Sequence, residues 1–268
     1  MSTSNKCERI DETCGTVLYP GDLIFAGFDN NIHYGTDRIV LSNLTEIKPN
    51  TAFSIANVIY GGGAAAKQRS NKWMASGTMD TGAIASHKII YIGKASIPVG
   101  SVICFDLPSH DSGAGMLAQN FKINGVFSSD FCVSDNGNTS LPRVNISTRK
   151  PDALFLLQGE WTFYPDHATL CGRVIAGIQQ GAAWLTLESA VSIPSRASRL
   201  HPQIACFSVQ ALTKPSSTAA YFSLLQDVNP SLEYLEGATN FELWDVVKEG
   251  SGRNDLPKEV CSPEPNGK

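Results

Sequence analysis

Charge is scarce in this chain. Only 17% of its 268 residues are Asp, Glu, Lys or Arg, and the formal net charge is −4. No run of Lys and Arg builds the basic stripe that tracks a phosphate backbone, so no nucleic-acid partner is expected. There is also no apolar stretch long enough to cross a bilayer as a helix, and no membrane insertion is expected. The opening Met1–Glu12 is polar and charged and does not read as a secretory signal. Two settings stay open: a subunit made and assembled in the cytosol, as virion parts are, or a mature or trimmed extracellular or cell-surface form. Disorder is excluded, because 42% of the residues are hydrophobic and can build a core.

Motifs of catalysis are missing as well. Ser109-His110-Asp111-Ser112-Gly113 holds the residue types of a hydrolytic triad, but adjacency in sequence is not triad geometry. No Gly-x-Ser-x-Gly elbow is present. Gly61–Lys67 lacks the spacing of a phosphate-binding loop. None of His33, His87, His110, His167 and His201 pairs at metal-ligand spacing, and Asp166-His167 near Cys171 comes nearest to a ligand cluster. The expectation is therefore a protein that is not an enzyme, with no catalytic residues, no cofactor-binding residues and no cofactor.

Seven cysteines occur without any C-x-x-C pair: Cys7, Cys14, Cys104, Cys132, Cys171, Cys206 and Cys261. Cys104, Cys132 and Cys206 sit in apolar runs and read as small buried core residues. Cys7, Cys14 and Cys261 lie in polar terminal segments. They are the better disulfide candidates, within or between subunits, in an oxidising compartment.

What is abundant is short apolar runs rich in β-branched and aromatic residues, separated by Gly, Pro, Asn and Asp. The clearest are Asp22–Phe28, Arg38–Leu44, Ala52–Tyr60, Lys88–Ile92, Ser101–Leu107, Asn120–Ile123, Ala153–Leu157, Arg173–Ile178, Ala183–Leu187 and Ile204–Leu212. Runs of this length and spacing predict an all-β fold, a β-sandwich or jelly roll. Thr218–Asp227 carries helical apolar spacing, with Asn229-Pro230 to stop it, and predicts a short C-terminal helix. Two segments look alike: Ile47-Lys48-Pro49-Asn50-Thr51 and Ile97-Pro98-Val99-Gly100-Ser101. Each reads as a hairpin-like corner, with Asn or Gly supplying positive φ. Asn124-Gly125 and Asn136-Gly137 are turn dipeptides, and Asp106–Ala118 and Ser134–Lys150 read as long loops. The expected organisation is an N-terminal arm over 1–19, a sandwich domain over 20–247 and a polar tail over 248–268.

Several segments, in order, carry a likeness. They are Pro20–Asp29, Arg38–Leu44 with Ile47–Pro49, Ser96–Ile103, Asp152–Gly159, Ile175–Ile178 with Gly181 and Trp184, and Tyr221–Asp227 followed by Asn240 and Trp244. Together, from about residue 20 to 245, the chain resembles a family of bacterial extracellular and surface β-sandwich domains described as lamin-tail-like. The resemblance implies a sandwich fold and a surface or structural setting, and no reaction.

Oxygen donors on irregular segments suit calcium. Asp29-Asn30-Asn31 with Asp37 is one such set, and Asp130, Asp135, Asn136 and Asn138 form another. The residues that would serve the ion are Asp29, Asn31, Asp37, Asp135 and Asn136, although Asp and Asn are also ordinary turn formers. Trp73, Trp161, Trp184 and Tyr164 suit a carbohydrate platform, and suit a core or an oligomer interface better. The functional expectation is a structural subunit that self-assembles into a surface layer, filament, tube or virion component. The alternative is a surface module that binds a glycan or other ligand, with or without calcium.

Overall fold

The computed structural model describes residues 15–29, 36–61, 72–75, 84–108, 117–138, 144, 152–165, 167–185, 198–211, 219–222, 239–240, 242 and 244–247. In chain order the strands are β1 (Leu23–Asp29), β2 (Thr36–Asn43), β3 (Ala52–Tyr60), β4 (Trp73–Ala75), β5 (Ala85–Tyr91), β6 (Val102–Pro108) and β7 (Gln119–Ile123). There follow β8 (Val126–Phe127), β9 (Phe131–Asp135), β10 (Asp152–Phe163), β11 (Ala168–Gln180), β12 (Ser208–Ala211), β13 (Ala219–Phe222) and β14 (Trp244–Val247). The first sheet runs β14-β13-β1-β2-β6-β7-β8. The second pairs β9 with β5, β5 with β3, β3 with β10, β10 with β11, and β11 in parallel with β12.

Side chains alternate across a strand, so each strand sorts its residues between two faces. Phe28, Ile39, Leu41, Ile103 and Phe105 of the first sheet meet Phe53, Ile55, Ile89, Leu154 and Leu156 of the second in one buried core. Each such side chain contributes about 1.5–3 kcal/mol by leaving water. The expected β-sandwich is therefore the fold.

The two look-alike segments form two of the crossings between sheets. Lys48–Thr51 closes with Thr51 N donating to Lys48 O, and Pro98–Ser101 with Ser101 N donating to Pro98 O. Asn50 (φ 66°) and Gly100 (φ 80°) stand at the third turn position, as a type II turn requires. The first corner carries the chain from β2 to β3 and the second from β5 to β6, each time into the other sheet. Both are thus inter-sheet corners, where the sequence suggested hairpins. Ile47 and Ile97 join them by reciprocal bonds, N to O at 3.0 and 2.8 Å.

The second sheet curls on itself. β3 pairs with β10, β10 with β11, β11 with β4 through Ala168 and Trp73, and β4 with β3, which closes a ring. Ala56, Val58, Tyr60, Trp73, Phe155, Leu157 and Val174 fill it, with Ile204 against them, as a second core. Closure demands that the long β10–β11 hairpin fold back over its own sheet. Trp161 Nε1 then donates to Ser86 Oγ, and Lys88 Nζ meets Glu160 Oε1 at 3.2 Å. Gly159 (φ 137°) and Gly172 face one another across the hairpin where it leaves β3. A Cβ on Gly159 would strike the Cys171 carbonyl, and one on Gly172 the Gln158 carbonyl. The neighbouring Gln158 side chain holds residues 16–18 in place, accepting from Leu18 N and donating to Thr16 O and Ala52 O. Leu18, read as part of an arm, is fully buried in the main core.

Other expectations shift. Ala219–Phe222, expected to be helical, is strand β13 between β1 and β14; residues 223–227 lie outside the described set. Ala183–Leu185 makes one isolated bridge, Leu185 to Arg199, rather than a strand. Ile204 closes a turn of 3-10 helix, Pro202–Ile204, and the strand starts at Ser208. Cys104 and Cys132 are buried as expected, yet both are disulfide-bonded. They face opposite outer sides of the sandwich, so neither is the other's partner. Cys206 is exposed and free, as is Cys171. Cys7, Cys14 and Cys261 lie outside the described residues, with 1–14 and 248–268.

Gly159→Ala is expected to destabilise the protein by about 1–3 kcal/mol, because it places a side chain at a strained φ against backbone. Urea unfolding measures this, and an unchanged midpoint would contradict the fold-back.

Candidate functional site

The sandwich has two unlike ends. At the corner end stand the two type II turns and the Asn124-Gly125 turn of β7–β8. Both central residues of that turn have positive φ (47° and 80°), a type I′ hairpin. At the opposite end β1, β3, β6, β9, β11 and β12 finish and β2, β5, β10 and β13 begin, so the long connections leave from there.

At that end the inward-facing positions change from apolar to polar. On β3 the inward series Phe53, Ile55 ends in Asn57; on β5 Ile89 gives way to His87. Asp152 precedes Leu154 on β10, Gln180 follows Ile178 on β11, and on β2 Asp37 precedes Ile39. All five are buried. Asn57 Nδ2 donates to Asp152 Oδ1 (2.8 Å), which also accepts from Ala153 N (3.0 Å). Gln180 stands directly opposite Asp152. Its carboxamide is 2% exposed, and neither its nitrogen nor its oxygen has a hydrogen-bond partner. Gln179, one residue earlier and on the other face, accepts from Ser198 N and donates to Ala182 O and Ala183 O.

The calcium candidates are divided between places. Asp29 stands opposite Arg38 on the outer face of the first sheet, where Arg38 Nε meets Asp106 Oδ1 at 2.9 Å and Asn120 Nδ2 donates to Asp106 Oδ2. Asp37, next to Arg38, faces inward, so Asp29 and Asp37 do not converge from their strands. Asn31 lies outside the described residues. Asp135 Oδ1 accepts from Gly137 N, Asn136 Nδ2 donates to Ser54 Oγ and Asn138 Oδ1 accepts from Ile84 N. These side chains shape the turn after β9. Among the described residues, no three of His, Cys, Asp and Glu group closely enough to hold a metal ion.

Of the other sequence candidates, 109–113 and 166 lie outside the described residues. His167 stacks on Tyr164 at 4.5 Å, and Cys171 is exposed. The tryptophans belong to the second core rather than to an open platform: Trp73 meets Phe155 and Trp161 edge-on at 5.0 and 5.8 Å. Trp73 also stacks on His201 at 14°. Burial lowers the His201 pKa to about 4. Its Nδ1 accepts from Gln203 N, which requires the neutral ring.

The corner end exposes several large apolar side chains among the charged Glu46, Lys48 and Lys94. Val17, Tyr19 and Val99 lie there with Val126 and Phe127, which are 72% and 65% exposed on β8, the edge of the first sheet. Phe127 is opposite Lys122, and Ser128 N donates to Phe121 O. This alternation turns the Phe127 N–H and C=O away from β7, toward the open edge.

No family model matches the chain, and no curated protein and no solved structure matches it.

His201 provides a pH test. Its pKa lies below the unfolded value of 6.5, so the unfolded chain binds the extra proton first. Stability is expected to fall as pH drops from about 6.5 toward about 4. His201→Gln should flatten that limb in urea titrations across this range. An equally steep limb in the variant would assign it to other groups.

Proposed function

We propose that this chain is a non-enzymatic structural subunit that assembles with copies of itself into a surface layer, filament, tube or virion component. The observation that carries the reading is the open β8 edge, where Val126 and Phe127 lie exposed beside outward-facing backbone groups. An exposed apolar edge is a template for another strand, and natural sheets ordinarily guard it with charge, proline or a cover. A strand from a second copy satisfies the Phe127 backbone and covers both side chains. A contact between unlike surfaces that does not close on itself propagates as a polymer. The disulfide-bonded Cys104 and Cys132 favour an oxidising, extracellular or cell-surface setting. The likeness to lamin-tail-like surface domains agrees with that setting. A second reading, a surface module for a glycan or other ligand, is favoured by the partnerless carboxamide of Gln180 at the loop end.

Light scattering and negative-stain microscopy of the full chain test the first reading. The wild type is expected to form ordered assemblies. The Val126→Lys, Phe127→Lys double variant should be monomeric with stability within about 0.5 kcal/mol of wild type, since both side chains are already in water. A wild type that stays monomeric at high concentration would contradict the proposal.

A further inference from the structure

Cys104 and Cys132 are disulfide-bonded, and their partners follow by elimination. Cys104 stands between Ile103 and Phe105, which point into the main core, so its own side chain points out from the first sheet. Cys132 stands between Phe131 and Val133, which pack on that core from the second sheet, so it points out on the opposite side. A disulfide joins Cα atoms about 4.4–6.8 Å apart, and packed sheets stand about 10 Å apart, so no bond joins the two across the core. Cys171 and Cys206 are free. Cys7, Cys14 and Cys261, which lie outside the described residues, remain to supply two partners. Two of these three belong to the N-terminal segment, so at least one bridge starts there.

Burial points the same way. An outer sheet face left to water keeps its side chains exposed. Cys104 is 2% exposed, and Val40, opposite it on the same outer face, is 0% exposed. Cys132 and Ile90, paired on the outer face of the second sheet, are each 5% exposed. Both cysteines are therefore covered, as a segment of chain held by a disulfide would cover them.

Reach assigns the partners. Gly15 packs on Asn50 and Thr51, and Thr16 N donates to Thr51 Oγ1. Thr51 O accepts from Tyr91 N, and Tyr91 stands opposite Phe131. Cys132 is thus two strand spacings, about 10 Å, from Thr51. Residue 14 is one step of about 3.8 Å beyond Gly15, which brings it within disulfide span of Cys132. Cys104 faces away on the far side of the other sheet, out of its range. Cys261 comes fourteen positions after Val247, a reach of about 45 Å when extended. β14 lies in the same sheet as β6, four strand spacings or about 19 Å away. We propose that Cys14 is bridged to Cys132 and Cys261 to Cys104, so that each terminal segment is tied over the outer face of one sheet and Cys7 keeps its thiol. Each bridge forms as two thiols lose two protons and two electrons to a small-molecule or protein disulfide, which is reduced to two thiols. Segments tied to their own chain are not arms to donate to a neighbour, which leaves contact between copies to edges such as β8. The bridges stand whether or not the chain assembles there.

Peptide mapping of the full chain, purified without reductant, tests the assignment. The chain is denatured with iodoacetamide present, which caps every free thiol, and is then digested with trypsin. Trypsin cuts after Lys and Arg and leaves the seven cysteines on seven separate peptides. Mass spectrometry is expected to find the Cys14 peptide linked to the Cys132 peptide, the Cys261 peptide linked to the Cys104 peptide, and caps on Cys7, Cys171 and Cys206. A non-reducing gel should show a single chain, and Cys7→Ser should keep both bridges. A Cys7 link to Cys104 or Cys132, or a Cys14 link to Cys104, would overturn the assignment. A link between Cys104 and Cys132, or caps on both, would overturn the elimination itself. A dimer on the gel that reductant converts to monomer would place the bridges between chains and overturn the tie of each segment to its own sandwich.

Discussion

The pair of backbone hydrogen bonds between Ile47 and Ile97 holds together two of the four places where the chain changes sheets, from β2 to β3 and from β5 to β6. Each corner depends on local chemistry: Pro49 and Asn50 in one, Gly100 in the other, with the Asn43 carboxamide donating to Thr45 O and Pro98 O across both. Because the corners are tied to each other, β2 and β6 lie side by side in one sheet and β3 and β5 in the other. The main core is the space between them. The tie also makes one end of the sandwich short and closed and sends the long connections to the other.

Much of this was legible in the sequence, for stated reasons. Ala52–Tyr60 runs as expected because β-branched and aromatic residues alternate between two buried faces. The corner turns were visible as Pro, Asn and Gly at fixed offsets. Their role as crossings was not, because sheet membership is decided by partners far away in sequence. The helix expected from Thr218 failed at Ala219–Phe222, where pairing with β1 and β14 outweighs local spacing. β4 and β8 are too short to show a period, although Trp73 and Ala168 close the ring around the second core. Cys104 and Cys132 looked like plain core residues because burial and disulfide bonding leave the same apolar surroundings in sequence.

The candidate site was less legible. Asp29, Asp37, Asp135 and Asn136 stood out as oxygen donors, and the strands distribute them over different faces. Asn57, Asp152 and Gln180 did not stand out, and His87 stood out only as one of five histidines, since nothing in their local sequence distinguishes them from ordinary polar residues at strand ends. The usable signal was parity: each occupies a position whose neighbours two residues away point into the core. That signal needs the facing strand to be known before it means anything.

The exposed apolar edge at β8 gives the molecule its proposed logic, a surface for contact between copies. The measurement that bears most directly on assembly is hydrogen exchange at the Phe127 amide as protein concentration is raised. The account predicts rapid exchange in dilute solution and strong protection at high concentration, as a neighbour's strand takes up that N–H. Exchange that stays rapid while ordered assemblies form would contradict it, and would move the contact away from β8.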